Sequence, residues 1–154
     1  MSQTTLDNSD KSHFKTIVQQ GILCVKRMGL EVLELAPRRV TLRMPLAGNE
    51  NHIGIMYAGI LFTTAEIPGG ALFLTSFDVT KYVPIVKGMD IRFKKPATTD
   101  VTITAEISQA EVDRINRELE AVGKSDFTLN GEIKDANGVV VCESKGFYQI
   151  RRIG

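Results

Sequence analysis

The chain has 154 residues, 43% of them hydrophobic and 24% charged, enough for one domain with a substantial core. Nineteen basic and eighteen acidic residues leave a formal charge of +1, which excludes the strongly basic face of a nucleic-acid binder. Two cysteines, Cys24 and Cys142, lack metal-ligand spacing, so a reduced cytoplasmic setting with no cofactor and no metal is expected.

The first fifteen residues are polar and mixed in charge, without the basic and then apolar run of a secretory signal. Residues 12–28 are predicted as one helix, with Ser12 as its cap, Phe14, Ile17, Val18, Ile22 and Val25 at near-helical spacing, and Gly29 as its stop. Residues 30–36 and 40–46 read as a hairpin turning through Pro37-Arg38-Arg39. Val40, Leu42 and Met44 share one face of its second strand, while Leu33 and Leu35 alternate less regularly in the first.

After the loop 47–52 comes the longest apolar stretch, residues 53–77, which contains a single carboxylate, Glu66. A surface helix would place polar residues every third or fourth position, and this segment does not, so it is wrapped by protein or lies in a bilayer. Glu66, Pro68, the pair Gly69-Gly70, the hydroxyl residues and the flanking strand-like segments all speak against a span, and no membrane partner is expected. A helix is predicted from about Ala58 to Phe77, bent near Pro68, with Gly69-Gly70 allowing close approach of another group.

The remainder reads mostly as strands. Residues 83–95 alternate, with Ile85, Met89, Ile91 and Phe93 on one face, up to Pro96; residues 101–108 turn Val101, Ile103, Ala105 and Ile107 inward. Residues 126–134 and 139–150 are joined by the turn Asp135-Ala136-Asn137-Gly138. Between them and the preceding strand, residues 109–123 form a short amphipathic helix, with a capping box at Ser108 and Glu111, a stop at Gly123 and a stripe of Ile115, Leu119 and Val122. A sheet covers only one side of a helix that is apolar all round, and a second copy of the chain is the economical cover for the other.

This element order, with the pattern Asn51-x-x-Gly54-x-x-Tyr57-Ala58-Gly59 followed by Glu66, resembles the hotdog-fold acyl-CoA thioesterases, most closely the phenylacetate-pathway branch. That branch carries His-Gly-Gly where this chain has Tyr57-Ala58-Gly59. The resemblance implies an α+β hotdog fold over residues 1–154, a long central helix wrapped by a curved antiparallel sheet of about five to six strands. It further implies hydrolysis of an acyl thioester, carried on CoA or on acyl carrier protein, by a homodimer or dimer of dimers. A backbone N–H at Ala58 or Gly59 would polarise the thioester carbonyl, Glu66 would act as base or nucleophile, and Asn51 would place the carbonyl or the attacking water. Gly54 belongs to the same motif, beside the substrate.

The chemistry stands without the family name. Unpaired N–H groups in a helix's first turn form an anion-stabilising site, suited to the charge of a tetrahedral transition state. Small Ala58 and Gly59 admit an acyl group to that backbone, although small residues also serve tight packing. Glu66 lies eight residues further on, roughly 12 Å along the axis. One chain cannot easily bring both to one carbonyl, so the helix start of one subunit should face Glu66 of its partner. Burial would raise the Glu66 pKa, as a general base near neutral pH needs; a buried glutamate paired across an interface is the structural alternative. Asn51 either serves the chemistry or only makes a turn. His52 and Tyr57 are substrate-side candidates with structural alternatives, while Arg92, Lys94 and Lys95, with Arg151 and Arg152, are candidate cations for CoA phosphates. Two further readings are a hydroxyacyl-thioester dehydratase using His52 with Glu66, and a non-catalytic acyl-CoA-binding protein of the same fold.

Overall fold

A computed structural model describes residues 6–154; the first five residues of the polar N-terminal stretch lie outside it. Helix α1 (Asn8–Gln20) and helix α2 (Leu23–Met28) precede a hairpin of strands β1 (Glu31–Ala36) and β2 (Arg39–Met44). Helix α3 (Ala58–Ser76), strand β3 (Tyr82–Phe93) and strand β4 (Val101–Glu106) follow, then helix α4 (Gln109–Val122) and strands β5 (Lys124–Asp135) and β6 (Val140–Arg152). The six strands form one antiparallel sheet in the order β1-β2-β4-β5-β6-β3. Helix α3 contacts every strand of it. A long apolar helix held by a curved antiparallel sheet is the hotdog fold that the resemblance implies.

Alternation builds the inner face of the sheet. Val40, Leu42 and Met44 on β2 are fully buried, as are Val101 and Ile133 on the neighbouring strands. Each such side chain contributes about 1.5–3 kcal/mol of apolar burial. Strand β2 runs beside β4 in unbroken register, from Arg39 opposite Glu106 to Met44 opposite Val101. The Asp135 carboxylate closes the β5–β6 turn by accepting from the N–H groups of Asn137 and Val139 at 2.9 Å each, and Gly138 supplies the positive φ of 79°.

Several local expectations need correction. The single helix over 12–28 is two helices, because the chain turns at Gly21 and Ile22 takes an extended conformation. The cap is Asp7, whose carboxylate accepts from the Asp10 N–H at 2.7 Å, and not Ser12. Ile17 and Ile22 are exposed at that break, leaving Val18 and Val25 as the buried pair. Leu33 sits at an irregularity in the β1–β2 register, which turns it outward and explains the uneven alternation there. A second register shift, between Val86 and Gly88, puts Ile85 on the face opposite Met89, Ile91 and Phe93, so those four do not share one face; Ile85 and Val86, on opposite faces of this edge strand, are both exposed. On α4 the buried stripe is Val112, Ile115 and Leu119; Val122, at 68% exposure, lies outside it. The Ser108 cap is present, its hydroxyl accepting from the Glu111 N–H at 3.1 Å, but the Glu111 carboxylate turns to Arg114 instead of closing a capping box.

Helix α3 is long and apolar enough to cross a bilayer, yet it is packed into the fold. Ile60, Leu61, Thr64, Ala65, Ile67, Pro68, Gly69, Ala71, Leu72 and Phe73 are all buried. One stripe is not covered: Phe62 is 41% exposed, and Thr63, Glu66, Gly70 and Leu74 are half-buried. Their three- and four-residue spacing puts them on a single face. At one end of the sheet, β3 pairs only with β6 and carries exposed Val83, Ile85, Val86 and Phe93.

Candidate functional site

Asn51 folds the approach to α3. Its side-chain oxygen accepts from the N–H groups of Ile53 at 3.0 Å and Ile55 at 3.3 Å, its own N–H donates to the Ile55 carbonyl at 2.7 Å, and the Gly54 N–H donates to the Asn51 carbonyl at 3.0 Å. This closed turn needs the left-handed backbone of Gly54, whose φ is 84°. The turn role of Asn51 is therefore present, and its amide nitrogen has no protein partner among the described residues. His52 is exposed on the same turn.

Tyr57 is the N-cap residue of α3 but offers no side-chain cap. Its carbonyl accepts from the N–H groups of Ile60 at 2.9 Å and Leu61 at 3.2 Å, and its own N–H donates to the Asn49 carbonyl at 2.9 Å. The N–H groups of Ala58 and Gly59 are left without a partner among the described residues, at the positive end of the helix dipole. The Tyr57 ring, 57% exposed, lies across Gly59, where a Cβ would sit 2.6 Å from it. The helix start is thus open on the Ala58 side and bounded by an aromatic ring on the other.

Glu66 stands two turns further along, on the uncovered stripe. Burial raises its carboxyl above the ordinary glutamate range, with no cation to offset it. Thr64 is fully buried and its hydroxyl donates to the Ile60 carbonyl at 2.8 Å. Within one chain, the free N–H groups and Glu66 are separated along α3 as the spacing requires.

Of the candidate cations, Arg92, Lys94 and Lys95 follow one another at the end of β3, all exposed. The chain beyond them passes the helix entrance, where the Met56 N–H donates to the Ala97 carbonyl at 2.9 Å. Lys94 is paired with Glu143 at 2.8 Å. Arg151 and Arg152 lie at the opposite end of that strand pair, Arg152 beside Tyr82, with its guanidinium donating to the Leu119 carbonyl at 3.0 Å. They do not join the helix start.

The residue that sequence reasoning missed is Tyr148 on β6. It is 3% exposed, and its hydroxyl donates to the Glu66 carbonyl at 3.0 Å. Its ring stacks on Phe127 at 5.3 Å and fills the space above Gly69 on α3 and beside Gly146 on β6, where a Cβ at either glycine would run into it. A glycine inside a strand, Gly146, was the available signal that something approaches closely there.

The family described as a domain of unknown function, DUF4442, matches residues 10–147. Among solved structures, a protein of unknown function from Pseudomonas aeruginosa, described as a probable thioesterase, is 45% identical over 93% of this chain and 96% of its own, with a TM-score of 0.89. A protein of unknown function from Chlorobaculum tepidum TLS is 18% identical over 97% of this chain and 98% of its own, with a TM-score of 0.82. A mutant thioesterase enzyme from Staphylococcus aureus subsp. aureus Mu50 is 19% identical over 84% of this chain and 99% of its own, with a TM-score of 0.70. The last two likenesses show the fold alone. No sequence among the curated proteins matches this chain.

Proposed function

We propose that this chain, a hotdog-fold protein that belongs to the DUF4442 family, hydrolyses acyl thioesters at a site shared between two copies of itself. The observation that carries the reading is the position of Glu66: the one carboxylate of α3 lies on the one stripe that its own sheet leaves uncovered. The relative from Pseudomonas aeruginosa, described as a probable thioesterase, supports the reaction class. A second copy packed on that stripe and along the exposed β3 edge would bury Phe62, Val83, Ile85 and Val86, and would set Glu66 opposite the partner's helix start.

In that arrangement the N–H groups of Ala58 and Gly59 receive the thioester oxygen and stabilise the negative charge that forms on it. Asn51, with its oxygen committed to the turn, offers its amide nitrogen to the carbonyl or to water. Glu66, as base, takes a proton from water while the water oxygen adds to the carbonyl carbon. The C–S bond then breaks and the thiolate receives the proton, giving a carboxylic acid and a thiol. Glu66 as nucleophile would instead form a mixed anhydride that water cleaves. Label found in the Glu66 carboxylate after a single turnover in ¹⁸O water identifies the anhydride route, with water attacking the glutamyl carbon. Exposed Lys95, with Arg92 and Lys94, faces the phosphates of a CoA carrier in this reading.

The experiment is a panel of acyl-CoA substrates with a thiol-detecting readout on the wild type and on Glu66→Gln. Thiol release that is lost in Glu66→Gln supports the proposal. Tight acyl-CoA binding without turnover across the panel would replace it with a binding protein, and hydration of an enoyl thioester without thiol release with a dehydratase.

A further inference from the structure

We propose that Tyr148 is a positioning residue for Glu66, holding the turn of α3 that carries the carboxylate at a fixed rotation and depth; this rests on the reading of Glu66 given above. The turn in question is the weakest of the helix. Pro68 has no N–H, so the Thr64 carbonyl loses its helical donor one turn before the proline. Gly69 and Gly70 follow at once, each less restrained than any other residue. Left to itself, this segment could bend or twist, and Glu66 would move with it.

Tyr148 supplies a restraint from outside the helix. Its hydroxyl donates to the Glu66 carbonyl itself at 3.0 Å. The ring reaches that position only because neither Gly69 nor Gly146 carries a side chain, so two elements leave room for one aromatic. Phe127 backs the ring at 5.3 Å, and the hydroxyl also lies 3.7 Å from the Met89 sulfur. The anchor is itself rigid, because β6 is hydrogen-bonded on both sides, to β5 and to β3. The phenol stays neutral: burial raises it far above its ordinary range, and the neighbouring Glu66 carboxylate raises it further. Among the described residues it is the titratable side chain that interacts with Glu66, and no charged side chain does so.

The consequence is specific. Removing the hydroxyl while keeping the ring frees the turn, lets Glu66 tilt toward water, and weakens its alignment on the thioester. Misplacement of a reacting group by about 1 Å can cost up to about a hundredfold in rate. In Tyr148→Phe, kcat should fall roughly tenfold with KM nearly unchanged, and the acidic limb of the pH–rate profile should move to lower pH. A merely structural tyrosine would lower Tm without moving that limb. Independently of turnover, NMR of ¹³C-labelled glutamate should report a Glu66 pKa closer to the ordinary range in Tyr148→Phe than in the wild type. An unchanged Glu66 pKa with an unchanged kcat overturns the proposal. Full activity of Glu66→Gln would instead overturn the catalytic reading, and the NMR comparison would still decide whether Tyr148 positions that carboxylate.

Discussion

The Ala97 carbonyl accepts a hydrogen bond from the Met56 N–H at 2.9 Å, which ties the chain leaving β3 to the entrance of α3. Lys95 lies two residues before Ala97, on the segment that this bond ties down. Lys94 is engaged with Glu143, whereas Lys95 makes no ion pair among the described residues. Lys95→Ala is therefore expected to raise KM for an acyl-CoA about threefold to tenfold, with kcat preserved and the effect fading as salt rises. The matched substrate is an acyl thioester lacking the nucleotide. Equal losses on the two would remove Lys95 from phosphate binding.

Glu66→Gln should fold and lose about 10²- to 10⁴-fold in kcat/KM. It should also change how stability depends on pH. Burial raises the Glu66 pKa in the folded chain, so folding favours the protonated side chain over the ionised one. Its favourable contribution is fully present below the ordinary glutamate range and is lost as pH rises through the raised value. Thermal melts from acid to neutral pH should accordingly show Glu66→Gln gaining on the wild type as pH increases. A gap that stays constant would mean that Glu66 does not titrate in a dry setting.

Ala58 occupies the first position of α3, after a Tyr57 backbone of φ −62° and ψ 136° that a following proline accepts. Ala58→Pro thus deletes one free N–H while leaving the helix able to form. The expected loss is about 10²- to 10³-fold in kcat. In the shared site proposed above, the helix start comes from one chain and the glutamate from the other, so mixing Ala58→Pro with Glu66→Gln should restore activity. Free exchange at equal amounts gives about a quarter of the wild-type rate. No recovery after exchange, shown by tagged subunits, would place the whole site within one chain.

Helix α4 offers a test of its corrected packing. Ile115 is fully buried and Val122 is 68% exposed, although both belong to the stripe expected from spacing. Urea denaturation should give a loss of about 2–5 kcal/mol for Ile115→Ala and less than about 0.5 kcal/mol for Val122→Ala. Similar losses would mean that α4 is seated on a different face.

The order of elements was legible because strand alternation, the Asp135–Gly138 turn and the long apolar run are each strong local signals. The break at Gly21 was not, since Ile17, Ile22 and Val25 keep a helical spacing that the chain does not use. The outward turn of Leu33 comes from a mismatch between two strands, which neither strand's own pattern contains. At the candidate site, Glu66 stands out in the sequence as the lone carboxylate of an apolar run, and Asn51 and Ala58 enter through the resemblance of one short segment. Tyr148 could not be picked out in either way, because it lies 82 positions from Glu66 and meets it only when β6 closes against the helix. Nor does sequence spacing alone tell which face of an evenly apolar helix its own sheet will cover.

The strand order also has a consequence for how the chain acquires its structure. Strand β3 is made early but pairs only with β6, the last strand. Until residues 140–152 exist, Val83, Ile85 and Val86 belong to an unpaired, β-prone segment with both backbone edges open. Contacts of such long sequence separation form late. A chain that stops short of Val140 therefore forfeits two strands rather than one, and releases an apolar ribbon ready to pair with its neighbours. Completing the C-terminus is what turns an aggregation hazard into the edge of a sheet.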